Sequence, residues 1–104
     1  MPLTITHHVA ASCFEGVPTG PPTAARAVCS YRRAGDVVVL HHTEVPRALQ
    51  GQGLAAELVQ AVLDWARTAG LRVRPTCSYV AAYMRRHPET QDLLENDHLK
   101  PSET

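Results

Sequence analysis

A chain of 104 residues, 44% hydrophobic and 19% charged, has the size and composition of one globular domain and no room for two. Its 10 basic side chains balance 10 acidic ones, so it lacks the field that draws proteins onto nucleic acid or anionic lipid, and no apolar run nears the roughly 20 residues that cross a bilayer. Three cysteines, an odd number at wide spacings, and a start without a charged-then-apolar leader fit a reducing compartment, so a single cytoplasmic domain over residues 1–104 is expected.

Leu3 to Val9 favours a first strand. Gly16-Val17-Pro18-Thr19-Gly20-Pro21-Pro22 reads as a loop, because proline removes donors and glycine loosens the backbone. A second strand is expected from Ala24 to Tyr31, and Arg32-Arg33-Ala34-Gly35-Asp36 reads as a hairpin turn. The run Val37 to Val45 is β-branched and apolar on both faces, a pattern usually covered on both sides. After Pro46 the period changes. Leu54, Ala55, Leu58, Val59, Val62, Trp65 and Ala66 recur at helical spacing, with Glu57, Gln60, Asp64 and Arg67 opposite and Gly70 as the stop. Leu71 to Arg74 reads as a strand, with Pro75 marking an edge or a parting of strands. A second helix is expected from an N-cap at Ser78 to His87, where Pro88 stops it, and the tail is expected to hold one helical turn near Leu93 and Leu94 before fraying.

A strand, helix, strand stretch of this length joins parallel strands that end at the same sheet edge. The glycine loop after Val45 and the thiol of Cys77 are therefore expected to open onto one crevice. Gly51 and Gly53 precede the first helical turn, where unpaired N–H groups and the helix dipole favour an anion and glycine permits its close approach. No Lys-Ser or Lys-Thr follows, so this is not a P-loop. Gly51, Gly53 and Ala56 fit the spacing of a dinucleotide fingerprint. The next strand, however, ends in Thr76-Cys77 without the acidic residue that would hold a ribose.

Glu44-Val45-Pro46-Arg47-Ala48-Leu49-Gln50-Gly51-Gln52-Gly53-Leu54-Ala55 resembles the acetyl-CoA motif of the Gcn5-related N-acetyltransferases, with Ala48 where that motif carries Gln or Arg. His42 to Pro46, the glycine loop, Cys77 to Tyr83 and Arg85-Arg86-His87-Pro88 together resemble the small stand-alone members of that superfamily. The resemblance implies an α/β (α+β) fold in reduced form: a mixed central sheet with splayed parallel strands and two main helices. It implies that acetyl-CoA (coenzyme A) lies in the splay against Val45, Gln50, Gly51, Gln52, Gly53, Leu54, Ala55 and Tyr83, and that an amine accepts the acetyl group.

Acetyl transfer needs a base, donors for the oxyanion and an acid for the departing thiolate. Cys77, just ahead of a predicted helix, stands where thiol pKa falls, and in the related proteins a cysteine at this position is proposed to accept acetyl. Glu44 lies where the superfamily often places its base, and His42 shares its strand face. The acid tyrosine of larger relatives corresponds to Met84 here, with Tyr83 beside it. Each of these residues also has a purely structural reading, as does the pair Arg85 and Arg86 at a helix C-terminus. His41 and His42 face opposite sides and no metal-ligand spacing occurs, so no metal is expected. Three readings follow: an acetyl-CoA-dependent N-acetyltransferase, a noncatalytic acyl-CoA-binding module, and a thiol protein acting through Cys77.

Overall fold

The computed structural model describes residues 3–19, 25–51 and 53–95. Five strands form one sheet in chain order: β1 (Leu3–His8), β2 (Cys13–Pro18), β3 (Ala27–Ala34), β4 (Val37–Glu44) and β5 (Arg72–Pro75). The first four are antiparallel neighbours, and β5 runs parallel to β4 after the crossover helix α1 (Leu54–Thr68). Helix α2 (Ser78–Arg86) follows β5, and a 3₁₀ segment, Pro88–Leu93, follows α2. No helix among the described residues is long and apolar enough to cross a membrane.

Two expectations for the N-terminal half need correction. Gly16 to Pro18 are not loop but the end of β2, and the turn between β3 and β4 is confined to Gly35-Asp36, so Arg32 to Ala34 are strand. Gly16 sits in β2 because a Cβ there would come within 2.8 Å of Leu3 Cδ1: the missing side chain is space for a neighbour, not a signal of flexibility. Pro18 is tolerated as the last residue of its strand, and Gly20 to Pro22 and Ala24 lie outside the described residues.

Phe14, Ala27, Cys29, Tyr31, Val38 and Leu40 alternate along β2 to β4 and share one cluster with Leu58, Val59, Val62, Leu63 and Ala66 of α1 and Val80, Tyr83 and Met84 of α2. The helix cover thus lies on the face that Val38 and Leu40 share, whereas sequence led us to expect cover on both. Val39, on the other face, is buried without joining this cluster. Beyond α2 the chain is held along the outer edge of β5. Leu94 bridges Val73, the Glu95 amide donates to the Val73 carbonyl at 3.1 Å, and Arg67 and Arg74 grip Asp92 and Glu95 with two bonds each. That segment shields an edge strand that would otherwise present open backbone groups.

One irregularity decides which side chains meet the helices. Between β3 and β4 the register shifts: Tyr31 pairs with Leu40, Ser30 with His42 and Cys29 with Thr43. His41 is therefore an extra residue on β4, a bulge that restores phase so that Thr43, not His42, returns to the helix-covered face. His42 and Glu44 pair with Ser30 and Val28 and so point to the other face.

At the far end of the sheet His7 stacks on Phe14 with centroids 4.0 Å apart, meets Trp65 edge-on at 4.7 Å, and lies 2.6 Å through Nε2 from the Tyr31 hydroxyl. Burial, helped by the charge of neighbouring His8, holds its pKa below the usual histidine value. The unfolded chain therefore takes up this proton first, so the contribution of His7 is present above about pH 6.5 and is lost as pH falls below it. Thermal melts at pH 7 and pH 5 are expected to show a larger loss of stability for the wild type than for His7→Phe. Equal losses would remove His7 from the pH response.

Candidate functional site

The site begins where β4 and β5 part. Their ladder ends at Leu40 opposite Pro75: the Thr76 amide turns back to the Arg74 carbonyl at 3.2 Å, and the Leu40 carbonyl is taken by the Cys77 amide at 3.0 Å. β4 runs on to Glu44 without β5, while the other chain turns into α2. A cavity of about 220 Å³ lies beside this parting, lined by Val45, Leu49, Gln50, Gly51, Gly53, Leu54, Ala55, Ala56 and Tyr79.

The loop after β4 makes a single 3₁₀ turn, Arg47–Leu49, in which Leu49 is buried as an anchor. The Gln50 side chain donates back to the Val45 carbonyl at 2.9 Å, which closes the loop on itself. Gly51 and Gly53 then take φ of +81° and +75°, values that cost other residues about 1–2 kcal/mol. A Cβ at either glycine would meet nothing within 4 Å, so the space above the loop is open to a visitor. Gly53 is the N-cap of α1 and has no side chain to cap it. Among the described residues, no acceptor engages the amides of Gly51, Gly53, Leu54 or Ala55. Unengaged donors at the positive end of a 15-residue helix suit an anion. A diphosphate flanked by apolar groups, as in coenzyme A, suits this donor set and the Val45, Leu49 and Leu54 walls. Gln52 lies outside the described residues.

On the opposite wall, the N-cap of α2 is Cys77 rather than the expected Ser78. Cys77 keeps an extended backbone (φ −75°, ψ 128°) because its amide is tied to Leu40, and its carbonyl accepts the first helical bond, from Ala81. Its sulfur does not line the cavity, contrary to the shared opening that topology led us to expect. It turns instead towards Thr43, with Sγ 3.7 Å from the Thr43 hydroxyl. Burial works to push this thiol up, but the amides of Val80 and Tyr79 and the Thr43 hydroxyl favour the thiolate and together leave its pKa below the ordinary value. Cys29, deeper in the core, goes the other way: burial pushes its thiol up to about 11.

Over 74 residues, 20–93, the chain matches the profile of the GCN5-related N-acetyl-transferases. The chain belongs to the GCN5-related N-acetyl-transferase family. It is 40% identical over 77 residues to Protein NATD1 of Gallus gallus, which spans 73% of this chain and 67% of that protein. To Protein NATD1 of Homo sapiens it is 41% identical over 69 residues, 65% of this chain and 61% of that one. The solution structure of a GCN5-like protein of Staphylococcus aureus superposes with a TM-score of 0.67 at 27% identity, covering 93% of this chain and 95% of the other. The five-stranded mixed sheet with its two helices is thus an N-acetyl-transferase fold, as the resemblance implied.

Within this GCN5-related fold the candidate residues fall into separate groups. Val45, Gln50, Gly51, Gly53, Leu54 and Ala55 come together around the cavity. His42 Nε2 and Glu44 Oε1 lie 3.5 Å apart on the exposed face opposite Cys77 and do not meet the thiol. Tyr83 is elsewhere: only 4% exposed, its hydroxyl bonded to Gln60 of α1 and its ring stacked 4.0 Å from His87, it joins the two helices and lines no part of the cavity. Tyr79, one turn earlier, takes the place by the loop that sequence led us to give Tyr83. Leu49 and Ala56 also line the cavity, although the sequence reading, which met Leu49 in the motif and Ala56 in the glycine spacing, did not place them among the coenzyme contacts. An apolar residue stranded in a polar loop was the available sign for Leu49.

If the open amides hold a coenzyme diphosphate, a side chain at Gly53 closes the site. Gly53→Val is expected to raise the Kd for coenzyme A about tenfold or more in a calorimetric titration, the loss of about one charge-assisted hydrogen bond. Gly35→Val is the matched control. Gly35 has φ +65° and equally empty surroundings, so the variant carries similar backbone strain and is expected to bind like the wild type.

Proposed function

We propose that this chain binds acetyl-CoA through the amides at the start of α1 and passes the acetyl group to an amine by way of Cys77. The observation that carries this reading is the set of unengaged amides of Gly51, Gly53, Leu54 and Ala55 beside the parting of β4 and β5, on a chain of the N-acetyl-transferase family. Gly51, Gly53, Leu54 and Ala55 would hold the diphosphate, with Val45, Leu49 and Tyr79 against the adjoining arm. Bound acetyl-CoA supplies an activated acetyl thioester. Cys77 supplies a thiol held below its ordinary pKa, whose thiolate can exchange one thioester for another without oxidant or metal. An amine then forms the amide and returns Cys77 to thiolate, and the ammonium proton goes to solvent.

A second reading, that the chain binds acyl-CoA without turnover, is favoured by one specific arrangement. His42 and Glu44 stand on the face away from Cys77, and Gln60 occupies the hydroxyl of Tyr83, so neither the paired base nor the tyrosine sits beside the thiol.

The two readings separate in one assay. Acetyl-CoA is added with and without a panel of primary amines, free coenzyme thiol is followed, and Cys77 is checked by mass spectrometry for one added acetyl group. Amine-dependent thiol release, reduced at least about a hundredfold in Cys77→Ser with coenzyme affinity unchanged, is the expected result. Full transfer by Cys77→Ser would end the covalent role. Tight coenzyme binding with no release in any amine would leave the binding module.

A further inference from the structure

The Thr43 hydroxyl stands between two sulfurs, 3.7 Å from Cys77 Sγ and 3.8 Å from Cys29 Sγ. A hydroxyl has one proton to give, so its two sulfur partners cannot be served alike. With both thiols protonated, Cys77 S–H donates to Thr43 Oγ1 and Thr43 O–H donates to Cys29. Once Cys77 loses its proton the chain can run in one direction only: Cys29 S–H donates to Thr43 Oγ1, and Thr43 O–H donates to the Cys77 thiolate. Cys29 is fully buried and stays protonated, so it always has the proton this order requires.

From this geometry we propose that Thr43 is a positioning residue for Cys77: it turns its single hydroxyl proton onto the thiolate while buried Cys29 donates to its oxygen from behind. The role of that thiolate in acetyl transfer rests on the function proposed above, but the proton arrangement does not.

The β4 bulge at His41 is what makes it possible. Without that extra residue the alternation of β4 would bring His42 to the helix-covered face and turn Thr43 away. The ionisable group that shares Thr43 with the thiol is Cys29 from β3; Tyr79 of α2 offers its backbone amide, and Cys13, paired with Ser30, points with His42 and Glu44 to the other face. The positive charge that stabilises thiolates in other settings is not among the causes here, which leaves the task to the α2 amides and to Thr43.

The test uses the full chain and the rate at which Cys77 is alkylated by iodoacetamide as a function of pH, with Cys13 and Cys29 resolved by peptide mapping. Thr43→Val keeps the β-branched shape and removes only the hydroxyl. It is expected to raise the midpoint for Cys77 by about one pH unit, an about tenfold slower alkylation near neutral pH, the worth of one hydrogen bond to a charged acceptor. Thr43→Ser is expected to restore the wild-type profile, which a role in strand packing alone would not require. Cys29→Ala leaves Thr43 in place and is expected to move the midpoint in the same direction by less, and it serves as the test should Thr43→Val not fold. An unmoved midpoint in a folded Thr43→Val or in Cys29→Ala, or a Thr43→Ser protein that behaves like Thr43→Val, would overturn the proposal. Coenzyme A titrations of the same variants keep the outcomes separate: unchanged binding is expected whether or not Cys77 ever carries an acetyl group.

Discussion

The parting of two parallel strands after the last of their four residue pairs, Leu40 and Pro75, organises everything else in this molecule. In a parallel ladder alternate residues donate across, Arg72 to the Asp36 carbonyl among them, and the next amide in that phase beyond β5, that of Thr76, turns back to the Arg74 carbonyl instead. The Leu40 carbonyl then finds its partner one step on, in the Cys77 amide, and this bond swings the chain out of the sheet. Because Cys77 is held extended by that bond while its own carbonyl opens α2, the thiol becomes a helix N-cap by construction. On the other strand, Thr43 and Glu44 continue past the last pair, and the loop beyond them delivers the open N-terminus of α1 to the same side. Two helix starts thus flank one gap, and both lack a conventional capping side chain, one through Gly53 and one through a sulfur. Such ends are costly in water-free surroundings and useful only where an anion comes to meet them.

Much of the fold and half of the site were legible in the sequence, for identifiable reasons. The crossover from Val37 to Cys77 declared itself through a change of period from strand to helix, and the glycines of the loop declared a backbone that other side chains adopt only at a cost. Those are local signals. The β2 strand was hidden because Gly16 and Pro18, read locally, speak for a loop. Their true reasons, room for Leu3 and a strand end, are properties of the neighbouring strand. The division between Cys77 on one face and His42 with Glu44 on the other was equally out of reach. It depends on one bulged residue, His41, and a phase shift of one reverses every later side chain. Tyr83 misled for a related reason: a four-residue step on a helix keeps the face but moves a full turn, which places Tyr79 at the cavity and Tyr83 between the helices.

Electrostatics at the gap follow the same division. On a chain of zero formal net charge, the open donors beside the cavity are backbone amides, and peptide dipoles hold their direction without a side chain's rotameric freedom. The thiol is handled likewise. Cys29 and Cys77 share Thr43, yet one is pushed up to about 11 and the other is held below its ordinary value. The difference is access to amides. Cys29 lies in a strand whose N–H groups serve the ladder, whereas Cys77 has the unspent donors of a helix start in front of it. Two thiols that share one hydroxyl are therefore differentiated by which backbone groups the fold has left over. The shape of the leftover set traces back to the turn at Thr76 and Cys77 that ended β5.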